Sequence, residues 1–233
     1  MATLFASMRS PETEINGPQT RGPHIDPGLP RIFDVILSGF GLLASLPVLA
    51  VLAVLVSRSS PGGVLFQQKR VGRNGQLFTL YKLRTMRQST TGPQVTSETD
   101  RRITPIGKFL RRTKLDELPT LWNVLRGDMS LVGPRPEVPK YVALDNPDWQ
   151  FVLKAKPGIT DPVTYQLRNE EKLLAQVAGD AEEYYLTKLQ PLKLRGYVAY
   201  LETRSWQTDF RVLWQTTFAV IFSRRSDTRG LEP

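Results

Sequence analysis

The sequence predicts a helix-rich α+β protein with an apolar N-terminal membrane helix, a β-hairpin and a core that carries amphipathic helices. Three observations predict it. Residues Val35 to Val56 run without a single charge. Two apolar-rich runs flank Asn74-Gly75, a strong hairpin signal. Leu118, Leu121, Trp122 and Leu125 then recur at i, i+3, i+4 and i+7, the spacing of one face of a helix.

Composition narrows the chemistry. A chain of 233 residues allows one domain with accessory segments. The net charge of +9, from 31 Lys+Arg against 22 Asp+Glu, favours anionic partners: nucleic acid, anionic lipid head groups or phosphorylated substrates. Cysteine is absent, which excludes disulfides, thiolate metal sites and cysteine nucleophiles. The only histidine, His24, lies in a Pro/Gly-rich tail, so neither histidine base chemistry nor a zinc site is expected. Catalysis would rest on carboxylates and cations.

In chain order, residues 1–30 carry five prolines and three glycines among polar residues and read as a disordered or loosely attached tail, not a signal peptide. The apolar run that follows would make a helix of about 33 Å, enough to cross a bilayer. Pro47, close to Ser45 and downstream of Gly39 and Gly41, predicts a kink. Arg31 precedes the run, and Arg58, Lys69, Arg70 and Arg73 follow it. With both flanks basic, the positive-inside rule gives a spanning helix no orientation, whereas a kinked helix that enters and leaves by one face satisfies both. The residues alone leave both arrangements open.

Pro61-Gly62-Gly63 ends the apolar run and the hairpin follows. Alternation places Phe78, Leu80, Lys82 and Arg84 on one face of its second strand. Lys82 and Arg84 then read either as a solvated strand end or as cations facing a phosphate. Gln88 to Arg102 is polar and reads as a mobile surface loop. Thr104 to Arg112 reads as a short basic helix. Its Lys108, Arg111 and Arg112, with Lys114, face either solvent or anionic lipid, the latter at about 1 kcal/mol each.

The central helix starts at Pro119, because proline in a first turn removes only a donor that is unpaired anyway. This places Asp116 and Glu117 at or beside its N-cap, where the helix dipole keeps adjacent carboxylates ionised. One of them is then suited to be a nucleophile or to hold a divalent cation; the plain alternative is a simple acidic cap. After the helix, Pro134 and Pro136 hold Arg135 on a stiff turn, and a fixed guanidinium suits a phosphate. Lys140 to Phe151 reads as a short helix interrupted near Asn146-Pro147, and Tyr165 to Tyr200 as helical with a break at Pro191. Asp209 to Arg225 spaces Phe210, Leu213, Trp214, Phe218 and Ile221 as an amphipathic helix that packs on the core or lies at a membrane interface.

The string LDELPTLWNVLRGDMSLVGPRPE closely resembles the signature of the bacterial sugar transferase family, the monotopic phosphoglycosyl transferases, and the resemblance runs from about Arg31 to Ile221. It implies a re-entrant membrane helix bent at a Ser-Pro pair. Here Leu46 precedes Pro47 and the serine, Ser45, stands one place earlier. The expected plan is a tail (1–30), a re-entrant helix (31–58), a catalytic domain (59–225) and a C-terminal tail (226–233). The resemblance implies transfer of a sugar-1-phosphate from a UDP-sugar to undecaprenyl phosphate at the cytoplasmic face of the bacterial inner membrane. It makes Asp116 the nucleophile and Glu117 its support, with both as Mg²⁺ ligands. Lys82, Arg84, Arg135 and Lys156 become candidates for binding phosphate. Lys156 replaces the arginine of many relatives, and Asp161-Pro162-Val163-Thr164 replaces their Gly-Trp-Ala-Gln. The apolar face of the last helix leaves room for a homodimer. A nucleic-acid-binding protein is not expected, because the cations are scattered rather than striped among aromatics; a membrane-anchored scaffold is the other alternative.

Overall fold

The computed structural model describes residues 25–87, 95–167, 170–177 and 179–222. Most of the expected N-terminal tail, part of the polar loop (88–94) and the C-terminal tail lie outside the described residues. In chain order the elements are α1 (Arg31–Ser59), β1 (Leu65–Val71), β2 (Leu77–Leu83), α2 (Pro105–Thr113), α3 (Thr120–Arg126), β3 (Ser130–Val132), α4 (Pro147–Val152), β4 (Gly158–Thr160), α5 (Pro162–Gln166), α6 (Glu170–Ala175), α7 (Ala181–Tyr184), α8 (Gln190–Glu202) and α9 (Trp206–Phe222). The fold is helix-rich α+β, as the sequence predicts.

Helix α1 is long and apolar enough to cross a membrane. It continues through Pro47 as one helix. Pro47 withholds the N–H that the Leu43 carbonyl would accept, and the Ser45 hydroxyl donates to the Leu42 carbonyl at 2.9 Å. Both ends of α1 are tied to the rest of the chain. At the N-terminal end, buried Asp34 accepts from the Leu131 N–H at 2.8 Å and the Ser130 hydroxyl at 3.0 Å. One turn earlier, Arg31 donates to the carbonyls of Val124 (2.5 Å) and Leu125 (2.9 Å), closing the C-terminus of α3. At the other end, Leu52 and Val56 pack with Leu83 of β2 and Leu110 of α2. Between these anchors Phe40, Leu43, Leu46, Val48 and Val51 are exposed.

The hairpin forms where Asn74-Gly75 predicts it. Both residues take positive φ, 56° and 76°, inside a loop that spans 72–76, since Val71 pairs with Leu77. β3 and β4 form a separate parallel pair, with Ser130 opposite Gly158 and Val132 opposite Thr160. The main core gathers Val124, Met129, Val132, Trp149, Val152, Tyr197, Leu201 and Val212, so α3, β3, α4, α8 and α9 meet on one set of side chains.

Four expectations need correction. Residues 25–30 are seated, not loose: Leu29 is buried and its N–H donates to Asp209 at 3.0 Å. Pro147 starts α4 and does not interrupt it, with the Asn146 side chain accepting from the Asp148 N–H at 2.8 Å. Pro191 sits in the first turn of α8, and the chain stays helical from Ala181 through a π-turn at Tyr185–Leu189. Single π-turns occur inside α-helices, often at functional sites. Finally, α9 begins at Trp206; among residues 206–219 Asp209 and Val212 are buried, while Trp206, Phe210, Trp214 and Phe218 form an exposed stripe four residues apart.

Candidate active site

The central helix starts later than the sequence suggests. α2 ends at Lys114, whose left-handed conformation (φ 58°) turns the chain, and Leu115–Glu117 then form one 3₁₀ turn ahead of α3. Asp116 and Glu117 thus precede the helix, and no side chain caps α3. The simple-cap reading of Asp116 therefore fails. Asp116 is buried, and its Oδ1 has no hydrogen-bond partner among the described residues.

Glu117 is held instead. Its Oε1 accepts from Lys82 Nζ at 2.8 Å and from the Arg135 guanidinium in a shorter bond. β2 supplies Lys82, and the Gly133–Pro136 loop after β3 supplies Arg135. The electrostatics split the pair. Burial, and then the charge of Glu117, push the Asp116 carboxyl above its ordinary value, against the pull of Lys82, Lys114 and Arg111. Burial opposes ionisation of Glu117 as well, but Arg135, Lys82 and Lys114 together outweigh it and hold that carboxyl well below its ordinary value. The expectation that a helix dipole keeps both ionised is thus corrected: burial and side-chain cations decide, and they decide differently for the two. Glu117 in turn raises Arg135, while burial lowers Lys82 despite Glu117.

The dyad opens into a cleft lined by further cations, among them Arg70, Arg111, Arg112, Lys114 and Lys193. Arg70 is one that sequence reasoning passed over as a membrane flank. From β1 it donates to the Pro136 carbonyl at 3.0 Å and pairs with Glu137 at 3.5 Å. Glu137 also accepts from the Tyr185 hydroxyl, which the π-turn carries, and Lys193 approaches that hydroxyl at 3.3 Å. Only the alternation of β1, which puts Gln68 and Arg70 on one face, hints at this cluster in the sequence.

Two candidate residues are not hydrogen-bonded to the dyad, although Arg84 lines the same cleft. Arg84 lies past the end of β2 and is buried, donating to the carbonyls of Ser60 (2.6 Å), Pro61 (2.9 Å) and Val56 (3.4 Å). It closes the C-terminus of α1. Lys156 lies beside Gly127 at the C-terminus of α3, where burial and neighbouring Arg31 lower its pKa. The segment around Lys156 has a different use. The Gly158 N–H donates to the Pro134 carbonyl at 3.0 Å and the Gly133 N–H to the Thr160 carbonyl at 2.9 Å, which buttresses the loop that aims Arg135. Ser45 is half-buried and Pro47 exposed in the middle of α1, just before Leu49 and Leu52 reach the cluster that anchors its C-terminal end.

The donor set suits a hard divalent cation held in part by substrate. Among the described residues no cluster of three or more acidic, histidine or cysteine side chains exists. Asp116 offers one free buried oxygen, and Glu117 lies next to it. Mg²⁺ commonly takes one or two carboxylates and completes its shell with phosphate and water.

A buried carboxylate dyad in a cleft lined by lysine and arginine is the candidate site, in a chain that also carries one helix long and apolar enough to cross a membrane. The chain belongs to the bacterial sugar transferase family, whose profile matches residues 26–223. A UDP-glucose:undecaprenyl-phosphate glucose-1-phosphate transferase of Caulobacter vibrioides is 34% identical over 215 residues, 86% of this chain and 76% of that protein. The exopolysaccharide production protein ExoY of Sinorhizobium fredii is 31% identical over 84% of this chain and 87% of its own length. A Bacillus subtilis relative is 45% identical over 113 residues, and the match spans 63% of its length.

Proposed function

We propose that this protein transfers a sugar-1-phosphate from a UDP-sugar to undecaprenyl phosphate, giving undecaprenyl-diphosphate-sugar and UMP. This would be the first membrane step in making a bacterial polysaccharide or glycoconjugate. The observation that carries the reading is Asp116, a buried carboxylate with a free oxygen beside a glutamate clamped by Lys82 and Arg135. A carboxylate oxygen of Asp116 attacks the β-phosphorus of the donor, and the bond to the leaving phosphate breaks to release UMP. Asp116 then carries the phosphosugar. An oxygen of the lipid phosphate attacks the same phosphorus and returns the Asp116 carboxylate. Lys82 and Arg135 neutralise charge on the transferring phosphoryl group, and Glu117 keeps both cations in place. Asp116 and Glu117 would hold Mg²⁺, which offsets charge on the diphosphate when bound.

The anchoring of α1 supports a re-entrant arrangement with the catalytic domain on the cytoplasmic face. With both ends docked on one domain, α1 would leave the bilayer by the side it enters, and a bend during insertion would fall at Ser45 and Pro47, through which the helix otherwise runs on. The exposed stripe of α9 and the exposed Phe109 and Trp122 suit an interfacial seat for that domain. Because the chain has no cysteine, Ile32→Cys and Ser57→Cys give clean labelling sites. Labelling of both from the cytoplasmic side is expected; labelling from opposite sides would establish a spanning helix.

The activity is tested by intact mass. Purified protein in nanodiscs is incubated with Mg²⁺ and a panel of UDP-sugars, without acceptor. The expected result is a phosphosugar adduct that is absent in Asp116→Asn and discharged by undecaprenyl phosphate. Absence of adduct, UMP and lipid product across the panel would overturn the reading.

A further inference from the structure

Asn123 is fully buried at the centre of α3, and every polar atom of its side chain is used. Its Oδ1 accepts from the Tyr81 N–H at 3.1 Å, and its Nδ2 donates to the Thr79 carbonyl at 2.7 Å and to Asp128 at 3.2 Å. Thr79 and Tyr81 face away from β1 along the free edge of β2, so the carboxamide takes the place of a peptide unit in a missing third strand. The two backbone groups also fix which end of the amide is oxygen, because an N–H needs an acceptor and a C=O needs a donor. The backbone of Asn123 does a second job. Its carbonyl accepts from the N–H groups of Asp128 (3.0 Å) and Met129 (3.3 Å), which set the turn into β3.

One residue therefore touches all three routes to the site. β2 carries Lys82 in the position after Tyr81. α3 follows the turn that carries Asp116 and Glu117. The Asp128–Met129 turn leads through β3 to Arg135. We infer that Asn123 is a positioning residue for the proposed transfer: it fixes Lys82 and Arg135 against Glu117 and so sets the charge that Asp116 and the phosphates meet. No other side chain meets these demands at this size. Aspartate lacks the donor and turns a charge onto the Thr79 carbonyl and Asp128, glutamine is one methylene too long, and leucine leaves two buried backbone groups unpaired.

This inference rests on the transfer reading, and a double-mutant cycle separates the two. Asn123→Asp and Asn123→Ala are made alone and on Lys82→Met, with folding checked by thermal unfolding. Alone, each is expected to lower kcat roughly 30-fold or more, since small misplacements of catalytic groups cost on the order of 100-fold. On Lys82→Met the same changes should cost several-fold less than they do alone, because one of the two cations being positioned is gone while Arg135 remains. Equal losses in both backgrounds, or no loss in folded variants, would overturn the positioning role alone. Wild-type protein that forms no lipid-linked product would overturn the transfer and the role together. Should neither variant fold, amide exchange in wild-type protein decides: Tyr81 is expected to be protected like the paired residues of β2, and exchange at the rate of an open edge would overturn the inference.

Discussion

Gly133 and Gly158 lie so close that a Cβ on Gly158 would stand 2.1 Å from the Gly133 nitrogen, and one on Gly133 would stand 2.4 Å from the Lys156 carbonyl oxygen. Each residue belongs to a different sequence motif, and the contact locks the Arg135 loop against the start of β4. Backbone atoms cannot yield to a new methyl as a flexible side chain would. Gly158→Ala is therefore expected to cost about 1–3 kcal/mol or more, as overpacked sites do. Chemical denaturation measures the loss, and formation of the phosphosugar adduct should fall further than the folded fraction does, because Arg135 loses its aim.

Arg84 gives a prediction of the opposite kind. Two of its guanidinium nitrogens donate to three backbone carbonyls at the end of α1. Arg84→Gln should lower stability by about 1–3 kcal/mol, the usual result of leaving buried acceptors unpaired. KM for the UDP-sugar should stay within about threefold if that binding is intact. A large rise in KM at unchanged stability would return Arg84 to the phosphate site.

Glu117 sits between two cations that would otherwise repel. Glu117→Gln removes the charge while keeping the size, leaving Lys82 and Arg135 side by side. The expected result is a loss of kcat of about 100-fold or more, the scale of misplaced electrostatic groups, in a protein that still unfolds cooperatively. Arg135→Lys should weaken donor binding too, because an ammonium cannot reproduce a planar fork on phosphate.

The Arg204–Asp209 pair ties the segment before α1 to α9. Asp209 accepts from Arg204 at 2.9 Å, from the Tyr200 hydroxyl at 2.5 Å and from the Leu29 N–H at 3.0 Å, and Arg204 also reaches the Val132 carbonyl at 2.9 Å. Both side chains are buried. Asp209→Ala leaves a buried guanidinium without its counter-charge and should cost about 3–5 kcal/mol. Limited proteolysis should then cut first near Gly28, whose N-terminal segment loses its hold.

Several of these relationships are invisible in the chain itself. The hairpin, the apolar helix and the Asp116–Glu117 dyad are legible because each rests on neighbours in sequence: positive-φ turn residues, a charge-free run, an adjacent acidic pair. Arg84 and Lys156 looked equivalent to Lys82 and Arg135, since all four are cations near a motif. What separates them is what lies across from each one. Lys82 finds a carboxylate, Arg84 finds the open end of a helix, and Lys156 finds another helix end beside Arg31. Alternation placed Lys82 and Arg84 on one face, but β2 ends at Leu83 and the alternation ends with it.

The sequence by itself determined the class of chemistry and its residues: carboxylates and cations without cysteine, an apolar helix, and an Asp-Glu pair followed by an arginine between two prolines. Those properties are local, set by side-chain type and by spacing along the chain. Tertiary structure alone decided which carboxylate stays free and which is clamped. Adjacent acids are alike in sequence, but folding buries Asp116 with an empty oxygen and carries Lys82 and Arg135, from segments 35 and 18 positions away, onto Glu117. Proton affinity depends on the charges and burial around a group, and only the fold brings those together.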